Sequence, residues 1–146
     1  MTELKTTKRT NSRILAVQAL YRNIFSEGEY DILDIISIQK EEDFTPEKYD
    51  EDLLSTLLEN TSENIEHFNK IIAKHTNQDW PIERLDKVIL TIIRTAICEL
   101  IYSTSSATNL IIDEYTTITS YFVSGKEIDF INAILQRISA EIREKN

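Results

Sequence analysis

Asp86-Lys-Val-Ile-Leu-Thr-Ile-Ile-Arg-Thr-Ala-Ile-Cys-Glu-Leu-Ile-Tyr102 is the stretch on which the fold turns. At about 100° per residue, Val88, Ile89, Leu90, Ile92, Ile93, Ala96, Ile97, Leu100 and Ile101 sweep an arc of about 220°. A surface helix needs an apolar stripe of only about 100°. An arc twice as wide demands cover from more than one side, so 86–103 is the expected buried central helix. Arg94 and Glu99 interrupt it, and its apolar runs fall far short of the roughly 18 residues of a membrane span. Glu99 falls between Val88 and Ile92 on the wheel, and Arg94 lies at the edge of the arc. Both charges are therefore expected to meet protein, where a charge survives only if paired or hydrogen-bonded. The role expected of them is structural, fixing how helical layers cross, with Glu99 capping a helix N-terminus.

The other periodic segments read as layers around this one. Residues 1–11 are threonine-rich, basic and aperiodic, a flexible arm. Ser12 is the expected N-cap of a first helix over about 13–25. Its apolar stripe runs through Ile14, Val17, Leu20, Tyr21, Ile24 and Phe25, with Leu15, Ala16 and Ala19 as a smooth reverse side. Tyr30–Ile38 reads as a short second helix, and Thr45-Pro46 opens a third over about 46–59. Thr61 or Ser62 is the expected cap of a fourth, about 63–75, before Trp80-Pro81 breaks the chain, with Trp80 expected as a plug between helical layers. After the central helix come a sixth helix over about 109–121, with Leu110, Ile111, Ile118 and Tyr121 inward, and a seventh over about 127–143. Gly125 separates these two. The expected class is all-α: about seven helices in one domain.

Composition agrees with that class. Two glycines and two prolines in 146 residues leave little material for hairpins. Cys98 has no partner for a disulfide, and no apolar segment near the N-terminus forms a signal peptide. A cytoplasmic protein is the expectation. Net charge is −9, unevenly distributed. Residues 1–25 hold Lys5, Lys8, Arg9, Arg13 and Arg22 against Glu3, a net +4. Residues 27–66 hold fourteen acids against Lys40 and Lys48, a net −12. The pattern is that of a basic arm on an acidic body.

No chemistry of catalysis is written in the chain. Two glycines cannot build a phosphate-cradling loop. His67 and His75, eight residues apart, lack metal-ligand spacing and read as solvent-facing helical histidines. Cys98 reads as a small buried thiol. What remains is a basic arm leading into a helix with polar flanks and edge aromatics. Single-stranded RNA binds such surfaces by stacking bases on aromatics and pairing phosphates with Lys and Arg. Tyr21 and Phe130 are the candidate aromatics, although an aromatic at a stripe edge is more often a core residue.

From Leu15-Ala-Val-Gln-Ala-Leu-Tyr21 onward the chain resembles the NusB family of bacterial transcription antitermination factors. Asp79-Trp80 with Glu83-Arg84-Leu85, Leu90-Thr-Ile-Ile-Arg94, Ala96-Ile-Cys-Glu-Leu100, Leu110-Ile-Ile-Asp-Glu114 and Phe130-Ile-Asn-Ala-Ile-Leu135 are similar to the family's successive blocks, in order and spacing. The resemblance implies two packed helical subdomains, a three-helix N-terminal bundle over about 12–60 and a C-terminal bundle around the central helix over about 61–143. It implies binding of the boxA element of nascent ribosomal RNA transcripts, jointly with the small-subunit ribosomal protein that acts as NusE. The complex would render RNA polymerase resistant to termination. Carried onto matching positions, Arg13, Gln18, Tyr21 and Phe130 would face RNA, with Lys5, Lys8 and Arg9 as the remaining cations. Asn132 would hold the last helix in place. Ser105-Ser106-Ala107 stands where the family has a proline turn.

The expected function is therefore a non-enzymatic RNA-binding antitermination factor, with no cofactor, no metal and no membrane partner. The alternative is an acidic protein-interaction module of the same fold with little RNA affinity. Ribosomal RNA methyltransferases that carry a NusB-like N-terminal domain supply an enzymatic reading, for which 146 residues leave no room.

Overall fold

The computed structural model describes residues 7–26, 48–77 and 81–143, and every regular element there is helical. In order these are α1 (Lys8–Ser26), α2 (Glu51–Glu63), α3 (Ile65–His75), a 3₁₀ turn (Ile82–Arg84), α4 (Lys87–Tyr102), α5 (Thr108–Phe122) and α6 (Lys126–Arg143). The chain divides into two compact units, Met1–Glu59 and Asn60–Asn146. The expected helix at Tyr30–Ile38, the Thr45-Pro46 helix start and the Trp80 plug lie outside the described residues.

In the second unit α4 is the hub, packed against α3, α5 and α6. It is buried at every position from Ile89 to Leu100 except the half-buried Arg94. The cover is thus wider than the apolar arc, because Thr91 and Thr95 are buried as well. Each threonine hydroxyl donates to a carbonyl one turn back: Thr91 to Lys87 at 2.7 Å and Thr95 to Thr91 at 2.8 Å. Bonds within the helix remove the cost of burying a hydroxyl. Asp86 starts α4 by accepting the Val88 N–H at 2.9 Å, the N-cap role of a short carboxylate. Phe68 and Ile72 of α3, Ile111 and Ile118 of α5, and Ile131, Ile134 and Ile138 of α6 fill the surrounding core. Each such side chain contributes about 1.5–3 kcal/mol by leaving water.

Two sequence expectations change here. On α5 the buried face is centred on Tyr115, with Ile111, Ile112, Ile118 and Thr119, whereas Leu110 and Tyr121 are 49% and 40% exposed. Thr116 and Thr119 again donate to carbonyls four residues back, which lets Thr119 be buried while Thr116 is half-buried and Thr117 exposed. The break expected at Thr61 or Ser62 comes later. Helix α2 runs on to Glu63, and Asn64 separates it from α3, its amide donating to the Asn60 carbonyl at 2.7 Å. Gly125 makes the turn before α6 at φ +73°, a left-handed conformation that glycine adopts without a Cβ penalty.

The end of α6 adds contacts that the sequence did not signal. Its final residue, Arg143, reaches back to the end of α4. Nε donates to the Leu100 carbonyl at 2.9 Å and Nη2 to the Ser103 carbonyl at 2.9 Å. Nη1 donates to the Ser106 carbonyl at 2.6 Å and to the Thr108 hydroxyl at 3.2 Å. The last carbonyls of a helix have no partner within it, and here a guanidinium from another helix supplies one. The same side chain fixes the turn around Ser105-Ser106-Ala107.

Candidate nucleic-acid interface

In the first unit Lys8, Arg9 and Arg13 of the candidate interface sit on α1. Thr7 caps α1: its hydroxyl accepts the Thr10 N–H at 3.0 Å, and its carbonyl accepts that of Asn11 at 3.0 Å. The helix therefore starts about five residues before the expected Ser12 cap. Ser12 is buried, its hydroxyl donating to the Asp50 carbonyl and accepting the Asp50 N–H, both at 2.7 Å. The Asp50 carboxylate caps α2 through the Leu53 N–H at 3.1 Å, and its other oxygen pairs with Arg9 at 3.4 Å. The Asn11 amide adds a bond to the Lys48 carbonyl at 2.6 Å. Residues 8–11, expected to be flexible, are thereby held.

The buried face of α1 is also rotated from the expected stripe. Leu15, Ala16, Val17, Ala19 and Leu20 are buried, while Ile14, Tyr21 and Ile24 are half-buried and Phe25 is 57% exposed. The shift is roughly a quarter turn of the wheel and centres burial on Ala16, where small side chains admit close approach. It leaves Tyr21 and Phe25 as an aromatic pair at the rim, ring centroids 5.0 Å apart and edge-on at 68°. Lys8 is exposed, Gln18 is half-buried, and Arg9 is partly exposed and shared with Asp50. Arg13 departs from expectation. It is 2% exposed, the bulkiest fully buried side chain among the described residues, and so is not a solvent-facing phosphate ligand. Lys5 lies outside the described residues. Phe25, which the sequence assigned to the core, joins the candidate surface.

In the second unit Phe130 is half-buried and lines a cleft of about 600 Å³ at the start of α4 and of α6. Leu85 and Ile89 complete an apolar floor, Arg84 and Lys126 bring cations, and Asp86 and Glu127 bring carboxylates. Sequence reading found Phe130 alone. The signal for the rest, charged residues at two helix starts, has no meaning until the fold brings 84–89 beside 126–130.

The three residues expected to be structural all make bonds in the second unit. Glu99 is 0% exposed and accepts from the Tyr115 hydroxyl at 2.8 Å, a partner not foreseen in the sequence. The Arg94 Nε donates to the Asn69 side-chain oxygen at 2.9 Å, and burial lowers the pKa of the guanidinium. The Asn132 amide donates to the Thr116 hydroxyl at 3.2 Å, joining α6 to α5. Burial pushes the Cys98 thiol up to about 11, against the opposing pull of the Thr61 hydroxyl, so it stays protonated at neutral pH. His67 is exposed, but His75 is half-buried and bonds Glu141 at 2.9 Å. Among the described residues no group of three His, Cys, Asp or Glu is placed to hold a metal ion. No helix there is long and apolar enough to cross a membrane.

This arrangement has known counterparts. A model of the NusB family matches residues 10–140. The transcription antitermination protein NusB of Rickettsia typhi is 30% identical over 150 residues, covering 97% of each chain. Among solved structures, NusB of T. maritima superposes with a TM-score of 0.80 at 24% identity over 94% of each chain. NusB solved with NusE and double-stranded RNA gives a TM-score of 0.76 at 22% identity, over 90% of this chain and 96% of that one. The family model spans the helix of the basic face, the central helix and the cleft alike, and the chain belongs to the NusB family.

Proposed function

We propose that the chain is a transcription antitermination factor that binds boxA-type single-stranded RNA of nascent ribosomal RNA transcripts together with NusE. The bound pair then joins the RNA polymerase antitermination complex in the cytoplasm. The observation that carries this reading is the full-length match to a protein named for that activity, 97% of each chain. The function needs no catalytic step, cofactor or membrane. Lys8 and Arg9 at the start of α1, with Lys5 before it, are the phosphate ligands. Gln18, the Tyr21–Phe25 pair and Phe130 supply polar and stacking contacts, and Arg13 acts from within the protein. An acidic body repels phosphate at long range, so RNA binding by the chain alone is weak and NusE strengthens it.

The test is binding of boxA-like RNA with and without NusE as salt is varied. Each single-strand phosphate contact adds about 0.7 to the slope of log affinity against log salt. Replacing Lys5 and Lys8 by Gln flattens the slope by about 1.4 units with little change in melting temperature. Tyr21→Ala weakens RNA binding by about 1–3 kcal/mol through lost stacking, at unchanged slope. Equal RNA affinity with and without NusE refutes joint binding. NusE binding by a chain with no RNA affinity in any combination selects the protein-interaction reading instead.

A further inference from the structure

Arg94 is a charge that burial has isolated. It is half-buried on α4, and its Nε donates to the Asn69 side-chain oxygen of α3 at 2.9 Å. Neither Nη takes part in a hydrogen bond or an ion pair among the described residues. Burial lowers the guanidinium pKa, and no carboxylate acts in the opposite direction. A cation drawn out of water is ordinarily offset by an anion, and here the one hydrogen-bond partner among the described residues is a neutral amide. Every other side chain from Val88 to Cys98 is uncharged, so α4 brings no second charge to this face. On α3 the exposed Glu66 and Lys70 lie within one turn of Asn69 and cancel.

We propose that the end of the Arg94 fork, steadied from the side by Asn69, binds one carboxylate group. With Nε engaged, Nη1 and Nη2 remain as two parallel donors at the spacing of two carboxylate oxygens, the geometry of a bidentate pair. Asn69 fixes the plane of the guanidinium, so little freedom is lost when the carboxylate arrives. A nucleic-acid backbone is a poorer fit. It is held by successive cations along the strand, and this site has one. A phosphodiester is also the weaker base, and so the weaker acceptor. The carboxylate is either a small free acid or an Asp or Glu side chain of a bound protein. Arg94 does not line the cleft at Phe130, and the site does not depend on the RNA reading.

Acetate is the first probe, titrated into the full chain against chloride at constant ionic strength. The Arg94 Nε–H and Asn69 side-chain amide resonances should shift and saturate, half-maximally on the order of 10 mM, as one charged bidentate contact allows. Asn69→Asp is the decisive variant. It places a carboxylate beside Arg94 within the chain, so it should raise the urea midpoint while weakening the acetate response about tenfold or more. Arg94→Lys should lose the response as well, because an ammonium has no planar fork. NusE then identifies the source of the carboxylate. NusE binding weakened about tenfold by Asn69→Asp assigns it to a NusE side chain. NusE binding unchanged by that substitution assigns it to a free acid. Shifts that do not saturate, an acetate response that survives Asn69→Asp, or dimethyl phosphate bound as tightly as acetate overturn the proposal.

Discussion

Arg143→Ala is the substitution whose cost follows most directly from the structure. The guanidinium donates to the carbonyls of Leu100, Ser103 and Ser106 and to the Thr108 hydroxyl, at 2.6 to 3.2 Å. Three charge-assisted bonds to carbonyls have a gross value of about 5–9 kcal/mol. Water reaches the half-buried site once the side chain is gone, and the freed residue recovers about 2 kcal/mol of rotamer entropy. A net loss of about 2–4 kcal/mol remains, read as a shift of the urea midpoint at constant slope. Amide exchange should quicken first at 103–108, where the turn loses its anchor. Arg143→Lys keeps the charge but not the planar fork, and should cost about half as much. An Arg143→Ala chain within about 0.5 kcal/mol of the parent would show the bonds to be replaced by water at no cost. An Arg143→Lys chain equal to the parent would show that a point charge suffices.

Two further outcomes follow from the second unit. Tyr115→Phe leaves the buried Glu99 without the donor now at 2.8 Å and should cost about 1.5–3 kcal/mol; in a double-mutant cycle with Glu99→Gln the two changes should be non-additive by about 1 kcal/mol or more, and strict additivity would show the bond to be energetically empty. The hydrogen bond from His75 and the charge of Lys74 hold the Glu141 carboxyl below its ordinary pKa, so its contribution is present above the unfolded-state pKa and is lost as pH falls through the lowered folded value. The stability gap between the parent and Glu141→Gln in urea melts should therefore close between about pH 5 and 3, and a gap independent of pH in that window would refute the assignment.

The parts of the fold legible in the sequence were those where one helix alone carried the signal. The wide arc of 86–103 located the hub because nine apolar side chains within one segment need no partner to be recognised. Helix α1 was misread by rotation, because the large side chains of Tyr21, Ile24 and Phe25 were weighted above the small ones of Ala16 and Ala19. Burial follows how closely a neighbour can approach, and that favours small residues. Helix α5 was misread for a related reason. Thr119 counts as polar in a pattern, yet its hydroxyl bonds the Tyr115 carbonyl at 2.7 Å and what it presents to the core is a methyl group. Ser12 was a sound cap by type, but its partner Asp50 lies 38 residues away, and Thr7 had an equal claim to the helix start. The cleft was invisible because its two halves are separated by about forty residues of chain.

The same distinction explains why so acidic a chain has so few cations to offer RNA. Arg9 is paired with Asp50, Arg94 with Asn69, Arg137 with the His75 carbonyl and Arg143 with the end of α4. Arg13 is buried, and Arg22 has its own interaction within the protein. Arginine suits these tasks because its planar fork satisfies several carbonyls at once and never loses its charge. Counting basic residues in the sequence therefore overstates how many guanidinium groups are available for direct phosphate contact. Among the described residues Arg84 is the one arginine whose guanidinium has no partner of its own, and it stands on the rim of the cleft. With net charge −9 and most arginines committed to the fold, long-range attraction cannot supply the affinity for a polyanion. Under the proposed function, recognition then has to come from short-range contacts and from a partner that brings its own positive charge.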